Sequence, residues 1–411
     1  MVLRSRSWAS FALLVVACGG GSLPGPPEVP VSPSPTAQGT FGADLAFLRK
    51  HGDVILLSSP SGGRVVVSPR YQGRVMTSAV SEGGDSLGWI HKDFIASGKT
   101  GTAFDNYGGE DRFWLGPEGG QYALYFAPGK PFTFDAWQTP SAFQEGEWSV
   151  TERSPGSISL SHPMVLSNHA GTTFRMDVAR QVRVLEAQDI TARLSVSPGD
   201  RVRWVAFETV NRITNTGPAA WTEDRGLPSI WILGMFAPAP DAKVIAPFER
   251  AGTGPIVNDA YFGKVPPERL QVREQEGLLV FTCDGKYRSK IGLGPSRARP
   301  VAGSYSASSR LLTIVQYDRP AGVTRYVNSM WEMQKEPYGG DVLNSYNDGP
   351  PAAGKPSLGG FYELETSSPA AALAPGGSLV HAHRTFHFVG EQADLSPIAA
   401  RVLGVSLAAL R

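Results

Sequence analysis

The 411-residue sequence has few cysteines, little net charge and no long apolar run. Cys18 and Cys283 are its only cysteines, so a disulfide framework is not expected and the fold must be stabilised by its core. The 38 basic and 37 acidic side chains leave a net charge of +1, which gives no electrostatic footprint for nucleic acid. The N-terminal apolar run from Trp8 to Ala17 is too short to span a bilayer. These shortages exclude a disulfide-stapled module, a nucleic-acid binder and an N-terminal membrane-spanning anchor.

The N-terminus has the order of an export signal, with Arg4 and Arg6 before the apolar run. The sequence Val-Val-Ala-Cys that ends at Cys18 resembles the bacterial lipobox, in which the cysteine is lipidated before cleavage. The resemblance implies a signal peptide over 1–17 and a chain held at the membrane by acyl chains on Cys18. The alternative is an ordinary secretory signal in which Cys18 is incidental.

Residues 18–39 are rich in glycine, proline and serine and predict a flexible tether, because they cannot bury enough apolar area to order themselves. Residues 40–411 follow without a second linker, which favours one large domain. We therefore expect a monomeric lipoprotein of the bacterial cell envelope, on the outer membrane or the periplasmic face.

Short alternating or apolar runs separated by Gly, Pro and Ser recur along this domain and predict an all-β antiparallel sandwich with few short helices. Thr40 is expected to cap a first helix over 41–51. Residues 173–197 suggest a long hairpin that turns at 186–189. Its polar residues are expected on a solvated face: Arg175, Asp177, Arg180 and Arg183. A closing helix is expected to be capped by Ser396, with Pro397 in its first turn.

Residues 104–126 combine five glycines with charged and aromatic side chains and form the first candidate site. Glycine lets a backbone approach a ligand closely, and carboxylates and arginine bond hydroxyl groups. The segment is therefore a possible ligand wall, with Glu110, Arg112 and Trp114 as binding residues. The alternative is a structured turn in which Arg112 pairs with Glu110 or Glu118.

In the second candidate site, over 283–292, Lys286, Arg288 and Lys290 alternate along an expected strand and share one face with Asp284. Such a face is either solvated or, at a cleft rim, able to hold a carboxylate or sulfate on a sugar, with Lys286 and Arg288 as the contacts. Cys283, which opens the segment, is expected to be a buried thiol.

In the third candidate site, over 337–350, Asn347 and Asp348 stand among turn-forming residues. Asx side chains at this density usually form turns, although they are also ligands for a hard cation such as Ca²⁺. The spacing fits no EF-hand, and we predict neither a metal nor another cofactor.

The fourth candidate site, over 359–388, places Glu363 and Glu365 on one face of an expected strand. The segments at 364–366 (LET), 374–376 (APG) and 386–388 (FHF) resemble the C-terminal end of the galactose mutarotases, also called aldose 1-epimerases. The resemblance implies a β-supersandwich fold and gives Glu365 the position of the catalytic base, which takes the proton from the anomeric hydroxyl.

Two weaker matches agree with this resemblance: the loop at Tyr346-Asn347 and the Gly108-Gly109 pair. The segments GGEDRFWLGPEGG and GDVLNSYNDGP are also similar to an uncharacterised group of bacterial lipoproteins and secreted proteins. One departure matters, because mutarotases carry their acid histidine in a central motif. The corresponding region here, over 211–236, contains no histidine.

The expected function is an envelope lipoprotein that binds or processes carbohydrate. As an enzyme it would transfer a proton at a sugar carbon, in a mutarotase, epimerase or lyase reaction, with Glu365 as base. Lys286 or Arg288 would then stabilise the developing negative charge. The alternative is a glycan-binding or structural lipoprotein without catalysis, which the missing histidine favours.

Overall fold

A computed structural model describes residues 39–101, 103–352 and 354–410. The signal peptide over 1–17, the lipidated Cys18 and all but the last residue of the tether lie outside the described residues. Their assignment therefore stays a prediction. In the part of the chain that is described, no helix combines the length and the apolar character needed to cross a membrane.

The described residues form three antiparallel sheets, of three, ten and five strands. In chain order the strands are Ile55–Ser58 (β1), Arg64–Ser68 (β2), Arg74–Ala79 (β3), Arg112–Gly116 (β4), Ser149–Arg153 (β5), Ser157–Ser167 (β6), Thr173–Val184 (β7), Arg203–Asn215 (β8), Ser229–Phe236 (β9), Lys243–Pro247 (β10), Leu270–Arg273 (β11), Leu278–Thr282 (β12), Ser289–Leu293 (β13), Val301–Ser306 (β14), Leu311–Tyr317 (β15), Leu343–Asn347 (β16), Tyr362–Ser367 (β17) and Ser378–Val389 (β18). The small sheet is ordered β1-β2-β3, the large one β11-β12-β10-β14-β15-β18-β8-β7-β6-β5, and the third β13-β16-β17-β9-β4. The predicted all-β antiparallel class is confirmed.

Within the described residues the α-helices are few and short: Phe41–His51 (α1), Lys92–Ser97 (α2), Ala187–Leu194 (α3) and Gln392–Leu403 (α4). Short 3₁₀ turns cover Phe134–Ala136, Ser141–Phe143 and Leu407–Leu410. Helix α1 begins as predicted, because the Thr40 hydroxyl accepts the N–H of Ala43 at 3.4 Å. Leu45 and Leu48, both buried, anchor its apolar side.

Strand β17 belongs to the five-stranded sheet, and its side chains point alternately toward the core and toward the open face of that sheet. The side chains of Tyr362 and Thr366 point toward the ten-stranded sheet, where the Tyr362 hydroxyl bonds Ser304 at 2.7 Å. The Thr366 hydroxyl bonds His381 and His383 of β18, each at 2.9 Å. Because side chains alternate along a strand, the residues between them, among them Glu363 and Glu365, point to the opposite face.

A buried ion pair joins strand β7 of the ten-stranded sheet to the segment just before β4. Arg180 of β7 lies 2.5 Å from the carboxylate of Asp111, and both side chains are fully buried. Arg180 also donates to the carbonyl of Gly73 and to the side chain of Asn211. The prediction that Arg180 lies on a solvated face is wrong, since it alternates with the exposed Arg175 and Asp177 and so belongs to the core face of β7.

Two further sequence expectations are corrected. The second arm of the predicted hairpin is helix α3, which begins with a capping box between Glu186 and Asp189 and buries Ile190 and Leu194 one turn apart. Strand β7 pairs instead with β6 and β8. Helix α4 starts at Gln392, so Ser396 is not its cap and Pro397 lies inside it. Cys283 is buried, as expected.

The buried histidines of β18 predict a specific acid sensitivity. Burial lowers the pKa of His381 to about 3 and that of His383 to about 4. The unfolded chain takes up a proton at each histidine below about pH 6.5, so their contribution to stability is lost as the pH falls. We expect His383→Gln to be less stable than wild type near pH 7. The gap between the two free energies of unfolding should narrow by about 1.4 kcal/mol per pH unit between about pH 6 and pH 4.

Urea denaturation of both proteins across this pH range measures the gap. The comparison isolates one histidine, because other titrating groups contribute to both proteins. A gap independent of pH would contradict a neutral, buried His383.

Candidate functional site

A cleft of about 350 Å³ opens on the face of the five-stranded sheet that points away from the core. Its walls are strongly aromatic, and charged side chains stand among the rings. The aromatic side chains that matter most for its shape are Trp114, Trp137, Trp231, Phe262, Trp331 and Tyr346.

The register of the sheet brings the polar residues together. Lys290 of β13 lies opposite Tyr346 of β16, which lies opposite Glu363 of β17. In the next row, Glu365 lies opposite Leu233 of β9, which lies opposite Arg112 of β4. Residues directly opposite each other on antiparallel strands share a face, so all five strands of the sheet contribute to one surface.

Glu365 lies at the floor of this surface and is completely buried. Its Oε2 accepts a hydrogen bond from the Lys290 ammonium at 2.8 Å and another from the Trp231 indole N–H at 2.9 Å. Among the described residues, its Oε1 has no hydrogen-bond partner. Both donors line the cleft, whereas Glu365 lies directly behind them. Two donors thus hold one oxygen of the Glu365 carboxyl group, and its other oxygen has no partner among the described residues.

Glu363 lines the cleft and bonds Arg112, whose Nη2 donates to Glu363 Oε1 at 3.0 Å. Burial, together with the nearby Glu365 carboxylate, raises the pKa of Glu363 to about 8 although the Arg112 guanidinium opposes the shift. The two carboxyl groups on strand β17 therefore have different environments. Glu363 keeps its proton at neutral pH, whereas Glu365 has an ammonium partner.

Arg112 is held in the wall by stacking. Its guanidinium carbon lies 3.9 Å from the centre of the Trp114 ring. Its Nε and Nη1 are buried and have no acceptor among the described residues, and the same holds for the Trp114 indole nitrogen. The predicted wall formed by Arg112 and Trp114 is thus part of the cleft, and it carries donors that the described protein atoms leave unused.

Glu118 is a third carboxyl group in the cleft, on the segment that follows β4. Its Oε1 accepts the indole N–H of Trp137 at 3.0 Å. Burial raises the pKa of Glu118, while the Lys290 ammonium opposes the shift. The alternative interpretation, in which Arg112 pairs with Glu110 or Glu118, is replaced by the Arg112–Glu363 pair.

Arg288 lies at the end of the cleft formed by the turn before β13. Its guanidinium carbon is 3.7 Å from the centre of the Phe262 ring and 5.5 Å from that of Phe134. No carboxylate oxygen of the described residues lies within 4.0 Å of its nitrogens. Aromatic faces therefore orient the cation without neutralising it.

Four predicted binding residues lie outside the cleft lining. Glu110 is buried between the sheets, where its Oε2 lies 2.7 Å from His387 Nε2. Lys286 is exposed on the turn before β13. The Asn347 amide bonds the backbone of Gly285 and Tyr287 in that turn. Asp348 accepts hydrogen bonds from Tyr346, Gly359 and Gly360. Asn347 and Asp348 thus hold neighbouring loops in place and do not close a turn of their own segment.

Several residues of the cleft were not singled out as site residues: Glu118, Trp137, Trp231, Phe262, Lys290 and Trp331. Lys290 alternates with Arg288, so the strand pattern carried a signal for it. The tryptophans carried none, because they come from separate loops and from the apolar strand β9. In the described part of the chain, no three His, Cys, Asp or Glu side chains are grouped in a way that would hold a metal ion.

Comparison with protein families gives one match, over residues 39–411, to the model described as "Family of unknown function (DUF6786)". The chain belongs to this family. The match covers the whole predicted domain, so the cleft of this DUF6786 member lies entirely within it. No curated protein matches the sequence.

Solved structures similar to this DUF6786 member include a putative aldose 1-epimerase from Escherichia coli K12, 13% identical, with a TM-score of 0.48 over 82% of this chain and 98% of that one. The Slr1438 protein of Synechocystis sp. PCC 6803 is 12% identical, with a TM-score of 0.48 over 83% and 96%. A galactose mutarotase related enzyme from Lactobacillus acidophilus is 9% identical, with a TM-score of 0.45 over 82% and 98%.

Proposed function

We propose that this protein binds a carbohydrate in the aromatic cleft and catalyses proton transfer on it, as a mutarotase or epimerase does. The observation that carries the proposal is the pair Glu363 and Glu365, two carboxyl groups on one strand in different environments at the floor of an aromatic cleft. The C-terminal motif, which gives Glu365 the position of a catalytic base, supports the same assignment.

The walls support a sugar as the ligand. Sugar rings present apolar C–H faces and polar edges, and they bind where flat aromatic faces stand beside hydrogen-bonding groups. The Trp137 and Trp331 rings lie 6.4 Å apart with an interplanar angle of 18°, so they offer nearly parallel surfaces. Arg112 and Glu363 supply donors and acceptors in the same cleft.

The two carboxyl groups supply the acid and base that mutarotation needs. Glu365, with Oε1 free, accepts the proton of the anomeric hydroxyl, while protonated Glu363 gives its proton to the ring oxygen. The bond between the anomeric carbon and the ring oxygen breaks, and an open-chain aldehyde forms. Ring closure on the other face of the aldehyde returns both protons. Alternating residues on a strand lie about 7 Å apart, a separation that leaves room for a sugar's reacting edge.

In this scheme Glu363 takes the part of the missing histidine. The mutarotase acid must be protonated at neutral pH, and Glu363 meets that condition through burial. The test is anomerisation of freshly dissolved α-sugars by the full chain, followed by polarimetry or NMR over a panel of neutral and acidic aldoses. Acceleration of at least one sugar is expected, and a spontaneous rate throughout would overturn the catalytic proposal.

One observation favours a second candidate, a cleft that binds glycan without chemistry. Glu365 is completely buried, and Lys290 and Trp231 stand between it and the opening. In that case binding would survive Glu365→Gln, and no sugar would anomerise faster with the protein than without it. The panel described above separates the two candidates.

We further propose that the domain is held at the bacterial envelope by acyl chains on Cys18. The lipobox-like sequence before Cys18 and the tether after it support this placement. We expect the wild-type protein, expressed in a bacterium with lipoprotein processing, to sediment with membranes and to incorporate radiolabelled palmitate. Cys18→Ser should lose the label and stay uncleaved at that site, whereas an unchanged label would contradict Cys18 as its site. The control Cys283→Ser should keep the label.

A further inference from the structure

The cleft holds positive charge that the protein itself does not neutralise. Lys290 has a carboxylate partner, Glu365, at 2.8 Å. Arg288 has none within 4.0 Å among the described residues. Its guanidinium instead rests on Phe262 and bonds the Tyr346 hydroxyl, a neutral group, so its positive charge has no carboxylate partner within that distance.

A second observation comes from the opposite wall. Arg112 is almost entirely buried, and its side chain is only 4% exposed. Only its Nη2 has a hydrogen-bond partner, the Glu363 carboxyl group, while Nε and Nη1 have no acceptor among the described residues. Buried donors are normally paired, so unpaired ones in a cleft wall indicate that a ligand supplies the acceptors.

The carboxyl groups that face the cleft neutralise less of its positive charge than the same number of ionised carboxylates would. Burial raises the pKa of both Glu118 and Glu363, the latter to about 8, so Glu363 is neutral at pH 7. The cleft lining therefore carries more positive than negative charge. Most of its buried polar atoms without a partner among the described residues are hydrogen-bond donors.

We propose that the cleft selects a sugar that bears a carboxylate, such as a uronic acid, and that Arg288 pairs with that carboxylate. The inference rests on the proposed carbohydrate function and narrows its ligand class. Arginine suits this task because its planar, always charged guanidinium matches the geometry of a carboxylate.

Isothermal titration of the full chain with D-galacturonate, D-glucuronate, D-galactose and D-glucose at one ionic strength tests the proposal. We expect at least one uronate to bind about tenfold or more tightly than its neutral counterpart. Arg288→Gln should weaken uronate binding by about tenfold and should reduce the ratio of uronate to neutral-sugar affinity by a similar factor. The control Arg203→Gln, on an exposed position of β8 in the other sheet, should change neither affinity.

Equal affinity of the wild-type protein for uronates and neutral sugars would overturn the anionic preference and leave carbohydrate binding intact. Unchanged uronate affinity in Arg288→Gln would overturn the role of Arg288. Absence of binding by all four sugars would overturn both this inference and the proposed function beneath it. Thermal melting of each variant verifies that the comparison is made on folded protein.

Discussion

Glu365→Gln should lower the rate of sugar anomerisation by about 10² to 10⁴, because it removes the group that accepts the anomeric proton. Glutamine keeps the shape of the side chain and an oxygen that can accept from Lys290 and Trp231. The cleft should therefore keep its form and its affinity for sugar, and kcat should fall far more than KM changes. The measurement is polarimetry over a range of sugar concentrations.

Glu363→Gln tests the other half of the pair and should also lower kcat, since an amide does not serve as the proton donor to the ring oxygen. Loss of this acid should in addition remove a falling limb of the wild-type pH profile near pH 8, where Glu363 loses its proton. The control Glu82→Gln, at an exposed position away from the cleft, should match wild type. Equal kcat in wild type and Glu365→Gln would contradict Glu365 as the base.

Asp111→Ala should reduce the free energy of unfolding by about 3 to 5 kcal/mol, the second large effect. The substitution leaves Arg180 charged and fully buried without its carboxylate partner. It also removes the acceptor of the Thr209 hydroxyl, 2.9 Å away. Urea denaturation followed by tryptophan fluorescence measures the loss.

Asp177→Ala is the matched control, because Asp177 is exposed on strand β7, the strand that carries Arg180. Its free energy of unfolding should stay within about 0.5 kcal/mol of wild type. Similar losses of unfolding free energy in Asp111→Ala and Asp177→Ala would contradict a specific contribution of the buried ion pair to stability. A double variant, Asp111→Ala with Arg180→Met, should recover part of the stability lost by Asp111→Ala, since no unpaired charge then remains.

Local patterns in the sequence were enough to predict the side of strand β17 that carries the site. The alternation in FYELET places Glu363 and Glu365 on one face, and the structure has them there because Thr366 and Tyr362 occupy the core side. The first helix was equally readable, since Thr40 is a local cap followed by a local apolar pattern. Both features depend on residues close together in the chain.

Features that depend on contacts between residues far apart in the chain could not be predicted from the sequence. Strands β4 and β16 lie in segments whose glycine and Asx content predicts loops, and sheet neighbours keep them extended. Lys290 and Glu365 are 75 residues apart, so no spacing rule joins them. Arg180 was misplaced because its charge suggested solvent, whereas Asp111, 69 residues away, makes a buried position possible.

The most direct test of the central claim is a crystal structure of the full chain grown with a sugar that the titrations show to bind. The account predicts a sugar ring against the indoles of the cleft, with its anomeric oxygen within hydrogen-bond reach of Glu365 or Glu363. A sugar bound elsewhere on the protein, with the cleft empty, would contradict it.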